Sequence, residues 1–214
     1  LFPPKRGHFG LPPNELRSLM ASAKSAPDLL ERGARAVAAR RGLAQSMIFV
    51  EKTPQHCLYA RRIAGFFPNA LFVEIVRDGR DCYRSAISHG GVSQSRSVAD
   101  FARYWARCTA AMLSPAFARV AGNRHVRVRY EDLCADAASE ISIVMEGLGL
   151  PFEPSQIEAQ GRSGDVRASR QEFERLGKEI SDRSVGNWRD EMDGKSVEQF
   201  EEIAGRELWQ LGYL

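Results

Sequence analysis

No window of the sequence approaches the run of about 20 apolar residues that a membrane-spanning helix needs. The first residues, Leu1-Phe2-Pro3-Pro4-Lys5-Arg6, lack the charged-then-apolar order of a secretion signal. Together these absences predict a cytoplasmic protein with no membrane partner. Cysteine is sparse and dispersed: no two of Cys57, Cys82, Cys108 and Cys134 lie within a few residues of each other. That spacing matches no metal-ligand pattern, and it predicts four separate reduced thiols and no bound metal. A strong charge of one sign is also lacking. Lys+Arg 30 against Asp+Glu 27 gives a formal net charge of +3, too mild by itself to argue for nucleic acid, and no nucleic-acid partner is expected. It leaves room for a local grip on one small polyanion.

What is present suits one domain over residues 1–214 with a sizeable core. Residues 1–13 are rich in proline and glycine and read as irregular. A short helix follows from Asn14, and a second runs from Pro27 to Arg41, with Gly42 past its end. Met47-Ile48-Phe49-Val50 is a short run of strand type, and Leu71 to Val76 reads as a strand buried on both faces. Helices are predicted from about Gly79, over 97–113, from Ala137 to Leu148 and from about Ser196 to Leu211. His125 to Tyr130 alternates like a strand. Strands alternating with helices predict an α/β domain, a mostly parallel sheet flanked by helices.

Four segments carry candidate chemistry, three of them at the carboxyl ends of predicted strands, where α/β proteins bind ligands. Val76-Arg77-Asp78-Gly79-Arg80-Asp81 opens a helix whose free N–H groups favour an anion. Arg77 can fork onto a phosphate, and Ser85 reaches the same anion only if the chain folds back before the helix starts. The alternative is a set of surface ion pairs capping that helix. Glu51-Lys52-Thr53-Pro54-Gln55-His56 offers a lysine to neutralise a leaving oxygen, with His56 or Glu51 to take a proton. Its alternative is a solvated loop. Tyr130, in Val128-Arg129-Tyr130-Glu131-Asp132-Leu133, can stack on or hydrogen-bond a purine, or be an ordinary half-buried tyrosine. Asp182 to Arg189 joins Ser184 and Asn187 to Gly186, which permits close backbone approach, or is a surface loop anchored by Trp188.

In this order, the segments resemble the sulfotransferases that use 3′-phosphoadenosine 5′-phosphosulfate (PAPS). Lys-Thr-Pro at 52–54, Phe-Pro-Asn-Ala at 67–70 and the Arg77 motif with Ser85 eight residues on carry the resemblance. Tyr-Glu-Asp-Leu at 130–133, Gly-Leu-Pro-Phe at 149–152, Trp188-Arg189 and a late Leu-Gly-Tyr extend it over roughly residues 47–214. The Arg-Asp-Gly-Arg form is similar to that of tyrosylprotein sulfotransferases and many bacterial relatives. The resemblance implies a P-loop-NTPase-like sulfotransferase fold. It implies that Arg77 and Ser85 hold the 3′-phosphate of PAPS and Tyr130 its adenine. Ser184, Gly186 and Asn187 would belong to a late loop closing over the nucleotide, and Lys52 would lie near the transferring group. Some members use a histidine two residues after that lysine as base; here that position is Pro54, and His56 lies four residues after Lys52.

The family's front strand, phosphate-binding loop and helix have no clear counterpart and are expected upstream of Leu1. Pro4-Lys5-Arg6-Gly7-His8-Phe9-Gly10 is the nearest segment, but Pro12-Pro13 would break the helix that must follow. The implied reaction is sulfuryl transfer from PAPS, as co-substrate, to a hydroxyl or amine of a small-molecule, carbohydrate or peptide acceptor. Residues 1–45, 89–100 and 155–180 would shape the acceptor pocket. Two rivals stand beside it. A P-loop kinase-like enzyme would need a Gly-rich Lys-Ser/Thr loop and a magnesium carboxylate, neither of which is visible. A non-catalytic nucleotide-binding relative that has lost the front loop is the other.

Overall fold

Helix dominates this chain. The computed structural model describes residues 11–43, 48–88, 95–158 and 180–214, which fall into two compact units, Leu1–Pro54 and Gln55–Leu214. In the first unit, α1 (Pro13–Ser22) carries its proline in the first turn, where a missing N–H costs no hydrogen bond. Helix α2 (Ala26–Arg40) is capped by Ser25, whose hydroxyl accepts from the Asp28 amide at 3.2 Å. Arg40 of α2 reaches back to Glu15 of α1 at 2.7 Å, an exposed pair that contributes little. The candidate loop at 4–10 lies outside the described residues.

The second unit begins with a 3-10 turn over Pro54–Tyr59 and runs through α3 (Ala60–Phe66) to β1 (Phe72–Val76). Helices α4 (Gly79–Ser88), α5 (Val98–Met112) and α6 (Pro115–Ala121) cross over to β2 (His125–Arg129). Then come α7 (Tyr130–Ala135), α8 (Ala137–Gly147), the single turn α9 (Trp188–Glu191) and α10 (Gly194–Gln210). The strands pair in parallel, from Phe72 opposite His125 to Val76 opposite Arg129.

This corrects the sheet-dominated, P-loop-like α/β architecture expected from the sequence. Among the described residues the sheet has two strands and is open, and the fold is mostly α-helical. Two physical reasons account for the error. Ile48, Phe49 and Val50 form no strand; they are 64%, 53% and 80% exposed, because a short apolar run acquires strand character only with a ladder partner. Strand β1 is not buried on both faces, since Val73 and Ile75 stand 45% and 62% exposed. Glu74, on the opposite face, binds the His125 ring at 2.8 Å and accepts from Arg127 Nε at 2.9 Å.

Two hydrophobic clusters hold the second unit. The larger packs Phe101, Ala102 and Trp105 of α5 against Phe200, Ala204 and Leu208 of α10, with Val76 at the end of β1. Ala102 and Ala204 are fully buried, and small side chains there let the two helices approach closely. Full burial of Phe200 and Leu208 contributes about 1.5–3 kcal/mol each. The smaller cluster seats Phe117 among Ala60, Ala64, Met112 and Ala121, with Phe72 edge-on at 5.4 Å. The first cluster fixes the end of β1, and so the position of Arg77.

Candidate functional site

Past Val76 the chain leaves β1 and turns directly into α4. Asp78 acts as the helix cap: its Oδ1 accepts from the Arg80 amide at 2.9 Å. Gly79 follows because nothing larger fits. A Cβ there would lie 2.7 Å from Phe200 Cζ and 2.7 Å from Trp105 Cδ2, both ring atoms of the core. The glycine brings the start of α4 against α5 and α10.

The charges that follow are buried, contrary to a picture of surface ion pairs. Arg80 is 2% exposed. It donates to Asp78 from Nε at 3.0 Å and from Nη2 at 2.7 Å, to the Tyr213 carbonyl at 3.0 Å, and to Glu201. Its guanidinium also lies 3.7 Å over the Trp188 ring. Burial works against its charge, but Asp78 and Glu201 outweigh that and hold its pKa above the ordinary value. Asp81 is 1% exposed, and its two oxygens accept from the amides of Gly186 at 2.7 Å and Trp188 at 3.0 Å. Glu131 completes the network, accepting from the Asp78 amide at 3.0 Å and the Tyr213 hydroxyl at 2.9 Å. Burial, and then the Glu131 charge, raise the Tyr213 phenol pKa. The sequence reading gave these charges of the motif only surface ion pairs capping the helix, and Trp188 only an anchoring role; the pairing and the cap are present but buried. The available signal was alternating charge around a glycine, followed by a late Trp-Arg.

Arg77 differs from its neighbours. Its guanidinium stacks 4.6 Å over the Tyr130 ring and donates to the Ser184 carbonyl. The Tyr130 hydroxyl and Ser184 Oγ are hydrogen-bonded at 3.0 Å. Three residues singled out in sequence, from β1's end, the start of α7 and the late loop, therefore meet. Arg77 Nε is buried and has no hydrogen-bond partner among the described residues. A buried cationic donor left unsatisfied is costly, and an anion would satisfy it. The donor set fits a phosphate.

The other candidates are placed differently. Gly186 sits at φ +75°, the left-handed region glycine favours, with its amide committed to Asp81. Asn187 donates from Nδ2 to the Arg183 carbonyl at 3.0 Å, bracing its own loop. Ser85 lies on α4 six residues past Gly79, a rise of about 9 Å along the helix. His56 is exposed in the 3-10 turn. Lys52 is exposed in the first unit, where the Thr53 hydroxyl donates to Glu51 at 2.6 Å.

All four cysteines are free, but not all stand apart. The Cys57 and Cys108 thiols interact, which raises the Cys57 pKa and lowers that of Cys108. Burial pushes the Cys82 thiol up to about 12. Among the described residues no group of three or more His, Cys, Asp or Glu is placed to hold a metal ion. No described helix is long and apolar enough to cross a membrane.

A family model described as "Sulfotransferase family" matches residues 13–154, more than half of the chain. The chain belongs to the sulfotransferase family. Its fold is similar to that of a solved structure, the sulfotransferase domain from the curacin biosynthetic pathway. The TM-score is 0.56 at 17% identity, over 86% of this sulfotransferase chain and 68% of that one. No curated protein sequence matches it. The matched range includes Lys52, His56, Arg77, Ser85 and Tyr130, while Ser184, Gly186 and Asn187 lie beyond it.

Proposed function

We propose that this sulfotransferase moves a sulfuryl group from PAPS to a hydroxyl or amine of an acceptor, releasing adenosine 3′,5′-bisphosphate. The observation that carries the reading is Arg77, a half-buried side chain whose buried Nε has no hydrogen-bond partner among the described residues, stacked on Tyr130 beside Ser184. In this reading Arg77 binds the 3′-phosphate, and Tyr130 contacts the adenine. Ser184 and its loop cover the nucleotide. PAPS supplies an activated sulfuryl group on an already anionic leaving phosphate, so the protein's part is positioning and charge neutralisation. Lys52 neutralises the leaving oxygen, and His56 or Glu51 accepts the acceptor's proton. The Arg-Asp-Gly-Arg form shared with tyrosylprotein sulfotransferases leaves the acceptor open to peptides, carbohydrates and small molecules alike.

The test compares two nucleotides by thermal shift. Adenosine 3′,5′-bisphosphate should stabilise the protein far more than adenosine 5′-phosphate, by about 2.7 kcal/mol at a hundredfold excess over its dissociation constant. Equal shifts would remove Arg77 from the 3′-phosphate. Transfer of labelled sulfate from PAPS to an acceptor panel then tests turnover. Lys52→Ala should lower kcat more than nucleotide affinity, because the charge it meets develops in the transition state.

A further inference from the structure

Within one motif two aspartates do different work. Asp78 faces its own helix and Arg80. Asp81 faces away, across 105 residues of sequence, to the amide of Gly186. Both its oxygens are used, on Gly186 and Trp188, and it is 1% exposed. Those amides belong to the loop that carries Ser184, which meets Arg77 through its carbonyl and Tyr130 through its hydroxyl. Among the described residues the other hydrogen bonds of this stretch are local, such as Asn187 to Arg183 and the Val185 amide to the Asp182 carbonyl at 2.7 Å. Arg80 adds a stack on the Trp188 ring at 3.7 Å.

We infer that Asp81 is a positioning residue for the nucleotide site: its carboxylate clamps the 184–188 loop so that Ser184 closes the third side of the Arg77–Tyr130 pair. The inference rests on the nucleotide reading above and extends it to a residue that touches no ligand. A carboxylate suits this task better than a neutral group. It accepts two charge-assisted N–H bonds at once, and buried it holds them tightly. An asparagine in its place has one acceptor oxygen, and its amide nitrogen would face an amide N–H donor with nothing to accept. Gly186 is part of the device, because its φ of +75° turns that amide toward Asp81.

The experiment measures two things in each variant: hydrogen exchange at the Gly186 and Trp188 amides, and affinity for adenosine 3′,5′-bisphosphate and adenosine 5′-phosphate. Asp81→Asn should speed exchange at both amides and weaken the bisphosphate about tenfold or more, while adenosine 5′-phosphate changes less than about threefold. General loosening of the fold would weaken both nucleotides alike, and that result overturns the inference. Asp81→Glu, which keeps charge and both oxygens, should fall between wild type and Asp81→Asn in both measurements. If Asp81→Asn does not fold, Asp81→Glu carries the test. Any folded variant whose two amides exchange fast yet binds the bisphosphate as wild type does overturns the clamp. A wild-type protein that binds neither nucleotide instead overturns the nucleotide reading itself.

Discussion

Arg77 and Arg80 stand three residues apart in one motif, and their surroundings are opposite. Around Arg80 the cation is matched: Asp78, Glu201 and the Tyr213 carbonyl accept its hydrogen bonds, and Trp188 covers its face. Around Arg77, among the described residues, the cation meets one carbonyl and one ring, and its buried Nε has no hydrogen-bond partner. A buried arginine surrounded by carboxylates is part of the scaffold. A half-buried arginine with an unused donor fits the anion-binding role proposed for Arg77. The neighbouring scaffold supplies the rigidity that keeps Arg77 in place.

Removing Arg80 should give the largest effect. Arg80→Ala leaves Asp78 buried without its counter-charge, which costs about 3–5 kcal/mol of stability. Thermal unfolding should show a drop on the order of 10 °C. Arg77→Ala inverts the pattern. Bisphosphate affinity should fall by about 1.5–3 kcal/mol per lost charge-assisted bond, with the unfolding midpoint little changed. If both variants lost stability equally, the two regions would not differ as described. Gly79→Ala tests the packing between them: a methyl against the Phe200 and Trp105 rings should cost about 1–3 kcal/mol in chemical denaturation.

The smallest effect concerns Tyr213, at the edge of the matched region. Tyr213→Phe removes the bond to Glu131, a loss of about 1 kcal/mol near neutral pH. The folded phenol has its pKa raised, while the unfolded one titrates near about 10. The native state therefore keeps a proton that the unfolded state releases. This stability is fully present below about pH 10 and is lost as pH rises toward the folded value. Denaturation midpoints at about pH 9 and about pH 11 should diverge less in Tyr213→Phe than in wild type.

Much of the local structure could be read from the residues. Amphipathic spacing located α5 and α10, and the charged motif marked the β1–α4 turn. Burial was harder to read. Ile48 to Val50 looked like strand because apolar runs carry no information about their partners, and β1 looked two-sided because Val73 and Ile75 are apolar though exposed. Tyr130 ended a predicted strand but opens α7. At the site, Arg77, Tyr130 and Ser184 were chosen from sequence and meet in space. Asp81 was passed over because buried and solvated aspartates look the same in a charge-rich motif, and its partners are backbone amides that no side-chain pattern betrays.

The wide sequence separations in the matched region also set a schedule during synthesis. Arg80 precedes the Tyr213 carbonyl that it binds by 133 residues. At about 5–20 residues per second, a ribosome needs roughly 7–27 s to cover that distance. For most of that interval α4 lacks α10 and the late loop: the Gly186 amide that Asp81 holds comes 105 residues after it, and the Phe200 ring that packs on Gly79 comes later still. The β1–α4 turn is therefore made well before the residues that bury it.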